Sequence, residues 1–166
     1  MAKTDIILFW KPYNEYGYFS QWYASDMVID KITFKNAEQY MMYKKATLFH
    51  NYELAQEILD TDDPATIKKL GRKVIGFEQD KWDAIKETVI YRGNFEKFTQ
   101  NKKLTKLLLK TRNATLAEAT PFDLIYGIGY SKTHPHATNP TKWKGQNLLG
   151  KTLMEVRKSI RILLLK

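Results

Sequence analysis

Glu38 and Lys45 stand seven residues apart in NAEQYMMYKKATLF, residues 36–49. Wound as an α-helix at about 100° per residue, they fall within roughly 20° of each other and about 10 Å apart along the axis. Met41 and Leu48 flank them on one side and Met42 and Phe49 on the other, so two ionisable groups share one apolar stripe. A simple surface ion pair uses spacings of three or four. A ligand held between the two would account for the wider one. Glu38 also lies at the second helical position, where the helix dipole stabilises an anion without any ligand.

A second carboxylate, Asp123, lies in TPFDLIYGIG, where a strand or turn would present it beside Tyr126. Two carboxylates, a lysine and flat aromatic rings suit cleavage of a glycosidic bond to a base. One carboxylate protonates the leaving base or activates water, the other supports the developing oxocarbenium ion, and aromatic rings hold the base. Lysine offers another route, because a desolvated amine can attack C1′ and form a Schiff base with the opened sugar. WKGQNLLG, residues 143–150, opens the last helix with small residues and backbone N–H groups. It is either an anion site or a capped helix without a ligand. Arg72 after Gly71 could add a phosphate contact, and Trp82 in QDKWDAIKE is either a core anchor or, given an exposed face, a stacking ring.

Familiar alternatives are missing. The chain has neither a P-loop nor a dinucleotide-binding glycine pattern. His134 and His136 form an HxH pair with no third His or Cys nearby, so no metal is expected. There are no cysteines, which removes disulfides, thiol nucleophiles and zinc-thiolate sites.

The elements that must carry these groups are mostly helical. TDIILFW has the bias of a short strand ended by Lys11-Pro12, EYGYFSQWYA is an aromatic loop, and DMVIDKITFKN alternates around Asp30-Lys31 as a hairpin. Asn36 is the N-cap of the helix that follows, with Gln39 closing a capping box. YELAQEILD, PATIKKL with Asp63-Pro64 at its start and Gly71 as its stop, one long helix over FEQDKWDAIKETVIYRGNFEKFTQN with Gly93 as a possible kink, and KKLTKLLLK follow. Residues 113–144 read as loop, and NLLGKTLMEVRKSIRILLL as a final helix. The expected fold is mainly α, a multihelical single domain over residues 1–166 with a small N-terminal β element.

Composition agrees with a globular chain: of 166 residues, 43% are hydrophobic and 27% charged. The formal charge of +9 favours phosphate-bearing partners such as nucleotides, nucleic acid or sugar phosphates, although lysine-rich faces such as KKLTKLLLK also serve as solvated surface. The apolar run in MAKTDIILFWKPYN is too short for a signal peptide or a membrane span, so a cytoplasmic chain without membrane contact is expected.

In order along the chain, YGYFSQW at 16–22, AEQYMMYKKA at 37–46, LGR at 70–72, DKWD at 80–83, FEKFTQN at 95–101, LAEATPFDLIYGIG at 116–129 and WKGQNLLGKTLMEVR at 143–157 resemble the NADAR family, the YbiA-like riboflavin-intermediate N-glycosidases. The resemblance implies hydrolysis of an N-glycosidic bond without a cofactor. The family's functional glutamate, lysine, tryptophan and aspartate match Glu38, Lys45, Trp82 and Asp123; the expected catalytic residues are Glu38, Lys45 and Asp123, and the expected substrate contacts Trp82, Tyr126, Phe19, Ser20, Arg72, Gly127, Asn147 and Gly150. Tyr126 stands where the family usually has tryptophan, and Gln21 where asparagine is typical. Three functions compete on this basis: hydrolysis of a phosphoribosylated riboflavin-pathway intermediate, removal of ADP-ribose from guanine with a possible DNA contact, and binding of ADP-ribose or nucleotides without catalysis.

Overall fold

A computed structural model describes residues 5–166. The described residues hold six α-helices, four short strands and two single turns of 3₁₀ helix, so the mainly α expectation holds. Their contacts divide them into two compact units, residues 21–100 and residues 5–20 with 101–166.

The unit of residues 21–100 opens on a hairpin, β1 (Met27–Ile29) with β2 (Ile32–Phe34), paired antiparallel. Its turn residues Asp30 and Lys31 have φ of 51° and 67°, the left-handed pair that matches strand twist in a two-residue turn. Arg92 grips the turn with two hydrogen bonds to the Asp30 carboxylate at 2.8 and 3.1 Å. Four helices follow: α1 (Ala37–Leu48), α2 (Tyr52–Leu59), α3 (Pro64–Gly71) and α4 (Gln79–Gln100). Helix α1 packs against the other three, which buries its Ala37, Tyr40, Met41, Met42 and Ala46.

Local chemistry sets the start of α1. Asn36 Oδ1 accepts from the Gln39 N–H at 2.8 Å, an N-cap worth about 1 kcal/mol. The return half of the capping box is displaced by one residue, because Gln39 Oε1 accepts from the N–H of Lys35 at 2.7 Å. The Gln39 amide also donates to the carbonyls of Ile58 and Thr61, tying α1 to the end of α2. Two glycines serve packing rather than turning. A Cβ on Gly93 would meet the Tyr40 ring at 2.8 Å, and α4 runs through it uninterrupted. Gly71 is the last residue of α3 and not its left-handed stop: a Cβ there would meet Met42 Sδ at 2.0 Å, and Arg72 caps the helix with ordinary right-handed geometry.

The other unit pairs β3 (Ile6–Phe9) in parallel with β4 (Thr115–Glu118), from Ile6 opposite Thr115 to Phe9 opposite Glu118. Thr4, the start of the expected first strand, lies outside the described residues. Strand β4 corrects the reading of residues 113–144 as loop alone; four residues of mixed character carry no clear alternation, and the pairing with β3 supplies the order. Helix α5 (Lys102–Lys110) buries Leu104 and Leu108 and exposes its lysines, while α6 (Leu148–Leu164) buries Leu149, Leu153, Val156 and Ile160. No helix among the described residues is long and apolar enough to cross a membrane.

Candidate active site

Glu38 follows the N-cap of α1 by two positions, and its residue is only 5% exposed. Its backbone N–H donates to the carbonyl of Gln21 at 3.0 Å, and the Gln21 side chain is fixed in turn by Asn94 Nδ2 at 2.8 Å. The first turn of α1 is therefore pinned on a buried polar relay, which holds the Glu38 carboxylate in a defined place. Two turns later Lys45 is half-buried, with its Nζ 4.7 Å from the centroid of the Phe77 ring. Burial holds the Lys45 amine below the ordinary lysine pKa; the Glu38 carboxylate opposes that shift and the Arg72 guanidinium adds to it. Glu38 and Arg72 thus both act on Lys45 within the unit of residues 21–100.

The remaining expected residues fare differently. Trp82 is 5% exposed and takes the core-anchor alternative, with little ring surface left for stacking. Phe19 is fully buried, its ring against Phe9 at 5.5 Å and Tyr18 at 4.6 Å, and Ser20 beside it is also buried. Asp123 Oδ1 accepts from the N–H groups of Ile125 and Tyr126 at 2.9 and 2.8 Å, an Asx turn that shapes the loop. Tyr126 is half-buried.

The anion corner at WKGQNLLG does not hold. The N–H groups of Gln146, Asn147, Leu148 and Leu149 donate to the carbonyls of Leu124, Gly127, Ile125 and Tyr126 at 2.8, 3.0, 3.1 and 3.2 Å. Those donors are spent on the preceding loop. Asn147, buried and at φ 54°, turns its side chain to β4, accepting from Glu118 N–H at 3.1 Å and donating to Leu116 O at 2.9 Å. A Cβ on Gly150 would meet Leu116 O at 2.1 Å, and one on Gly127 would meet Thr120 at 2.4 Å. Gly127, Asn147 and Gly150 are therefore close-packing residues.

Two residues escaped the sequence reading. Phe77, expected as the first residue of the long helix, stands instead in the loop between α3 and α4, because α4 begins at Gln79. Lys97 is fully buried in α4, its amine 5.4 Å from the Tyr23 ring and 5.2 Å from that of Phe98, and burial pushes its pKa down to about 7. Its position in FEKF, among aromatic residues, was the available signal.

A family model described as the NADAR domain matches residues 8–161, and so spans both units. The chain belongs to the NADAR domain family. This NADAR domain is 40% identical over 144 residues to "N-glycosidase R617" of Acanthamoeba polyphaga mimivirus, covering 84% of the chain and 85% of that relative. It is 31% identical over 162 residues to "N-glycosidase YbiA" of Escherichia coli K12, covering 98% and 92%. The NMR structure of E. coli YbiA matches it with a TM-score of 0.82 at 30% identity, over all of the chain and 90% of YbiA. "Riboflavin biosynthesis protein PYRR, chloroplastic" of Zea mays is 29% identical over 170 residues, 95% of the chain and 26% of that protein. These relatives make the NADAR domain an enzyme of the N-glycosidase class.

Proposed function

We propose that this N-glycosidase cleaves the bond between a phosphoribosyl group and a pyrimidine-like amine of the riboflavin pathway. The observation that carries the reading is the buried Glu38 carboxylate acting on a half-buried Lys45 amine, with Arg72 adding positive charge. A carboxyl group held away from bulk water is suited to proton transfer, which contributes about 10²- to 10⁴-fold in rate. The name of the maize relative supports the riboflavin class of substrate.

In this mechanism Glu38 gives its proton to the leaving nitrogen as the C1′–N bond breaks. The neutral Lys45 amine attacks C1′, one of its protons passes to the ring oxygen as the C1′–O bond breaks, and the opened sugar is held as a protonated imine. Water then adds to the imine carbon, the amine departs, and the sugar phosphate closes again. Burial of Lys45 lowers its proton affinity, the direction that an attacking amine needs. Arg72, exposed at the end of α3, takes the phosphate. Incubation with phosphoribosylated riboflavin-pathway intermediates should release ribose 5-phosphate, and borohydride should trap the sugar on Lys45. No release, with Glu38→Gln equal to wild type, overturns the reading.

One observation favours a second substrate, ADP-ribosylated guanine in DNA. Lys102, Lys103, Lys106 and Lys110 line a shallow cavity of ≈ 410 Å³ with Leu107, a basic face suited to a phosphate backbone. Cleavage of modified DNA that weakens steeply with salt would support it, and intact DNA alongside cleaved small intermediates would exclude it.

A further inference from the structure

The loop of residues 72–78 carries more fixation than an exposed connection needs. Asn51 Oδ1 accepts from the N–H of Ile75 at 2.9 Å, and Asn51 Nδ2 donates to the carbonyls of Ile75 at 2.9 Å and Phe49 at 2.7 Å. One amide side chain therefore ties the middle of this loop to the end of α1. Ile75 itself is exposed, so the clamp does not serve its burial. Gly76 follows at φ 75° with open space around the place of a Cβ, so backbone direction and not crowding calls for glycine. That turn delivers Phe77, whose ring lies 5.3 Å from Phe49 and 4.7 Å from Lys45 Nζ. Phe77 stays 38% exposed while its ring covers the amine.

We propose that Phe77, aimed by the Asn51 clamp and the Gly76 turn, is a positioning residue that walls the Lys45 amine off from water and orients it for the substrate. The proposal rests on Lys45 being the reacting amine. Two opposite effects meet at this ring. Its quadrupole attracts a cation, whereas its bulk removes water that the cation needs. Burial is the largest influence on Lys45, and the Phe77 ring lies over its Nζ at 4.7 Å. The charges acting on the amine are Glu38 from its own helix and Arg72 from the end of α3. Phe77 sets how strongly both are felt, since excluding water lowers the local dielectric. A phenylalanine that merely covers a lysine stem would contribute to stability and leave the amine's titration where it was.

The test measures the titration of Lys45 directly. Wild type, Phe77→Ala and Phe77→Leu are labelled with a small amine-acylating reagent across pH, and the rate at Lys45 is read by peptide mass spectrometry. Each profile is scaled to its own alkaline plateau, so that easier access in the smaller variant does not count. Loss of the wall should move the Lys45 midpoint in Phe77→Ala to higher pH by about one unit, a tenfold smaller neutral fraction near neutrality. Phe77→Leu, which keeps an apolar wall, should stay near wild type. Asn51→Ala, which frees the loop with Phe77 intact, should shift the midpoint in the same direction by less. An unchanged or lowered midpoint in Phe77→Ala overturns the proposal. Labelling needs no substrate, so a failed glycosidase assay with a shifted midpoint sinks the substrate reading and leaves the wall standing.

Discussion

The helix starts at α1 and α6 look alike in sequence and have opposite uses. Both place an asparagine before a helix, and both put residues of interest within the first turn. At α1 the cap is made by Asn36, and the turn is left to carry the buried Glu38 carboxylate. At α6 the Asn147 side chain ignores its own helix and bonds β4, while the leading N–H groups close onto the 124–127 carbonyls. A helix start becomes a site when its own cap satisfies the backbone and leaves a functional side chain over. It becomes a structural joint when neighbouring backbone consumes its donors. The distinction lies in where hydrogen bonds go.

The sharpest way to break this comparison is to remove the ionisable group at α1. Glu38→Gln keeps size and polarity and should lower kcat for sugar release by about 10²- to 10⁴-fold. Thermal unfolding should stay close to wild type, since the Gln21 carbonyl still receives the backbone N–H of residue 38. A large loss of stability with activity retained would make α1 the structural joint instead.

The contrast also explains what the sequence could disclose. Helical spacing was sufficient to bring Glu38 and Lys45 onto one face, because that geometry is internal to α1. The hairpin was legible as well, since Asp30-Lys31 interrupts a clear alternation and takes left-handed geometry. By contrast, the fate of the α6 donors depends on carbonyls of residues 124–127, far back along the chain, and β4 exists only through its pairing with β3. Gly71 and Gly93 read as punctuation yet make room for Met42 and Tyr40, contacts set by helix packing. Phe77 was invisible for the same reason: the Asn51 clamp that directs it spans 24 residues.

At α6 the expected loss is of stability. Asn147→Ala removes one buried and one part-buried hydrogen bond and places alanine at φ 54°. A cost of about 2–3 kcal/mol is expected, seen as a lower urea midpoint. Gly150→Ala should be at least as disruptive, because its Cβ would collide with the Leu116 carbonyl. In either variant the molecules that remain folded should keep their kcat. A folded Asn147→Ala enzyme with a raised KM would restore the anion corner.

The titration of Lys45 sharpens the α1 side. Its pKa lies below the ordinary lysine value, so the neutral amine accumulates at lower pH than for an exposed lysine. If the neutral form reacts, kcat rises with pH through that lowered pKa and levels off above it. A phosphate-binding cation would give the opposite limb, with KM rising as the proton is lost. Lys45→Arg separates the two, since arginine keeps the charge and cannot form the imine. We expect it to lose borohydride trapping and most of kcat; an active Lys45→Arg would assign the residue to phosphate.

The smallest expected effect concerns Arg72. The side chain is exposed, so its attraction for a phosphate is screened by water and salt and should contribute only about three- to tenfold in KM. Its second influence runs through Lys45, whose pKa it lowers. Arg72→Ala should therefore raise KM at low ionic strength, with the difference shrinking as salt is added, and should move the alkaline limb of kcat to higher pH. Arg72→Lys, which restores the charge without the planar fork, should return the limb more fully than KM. A KM change with no movement of the limb would separate Arg72 from the amine and confine it to the substrate's phosphate.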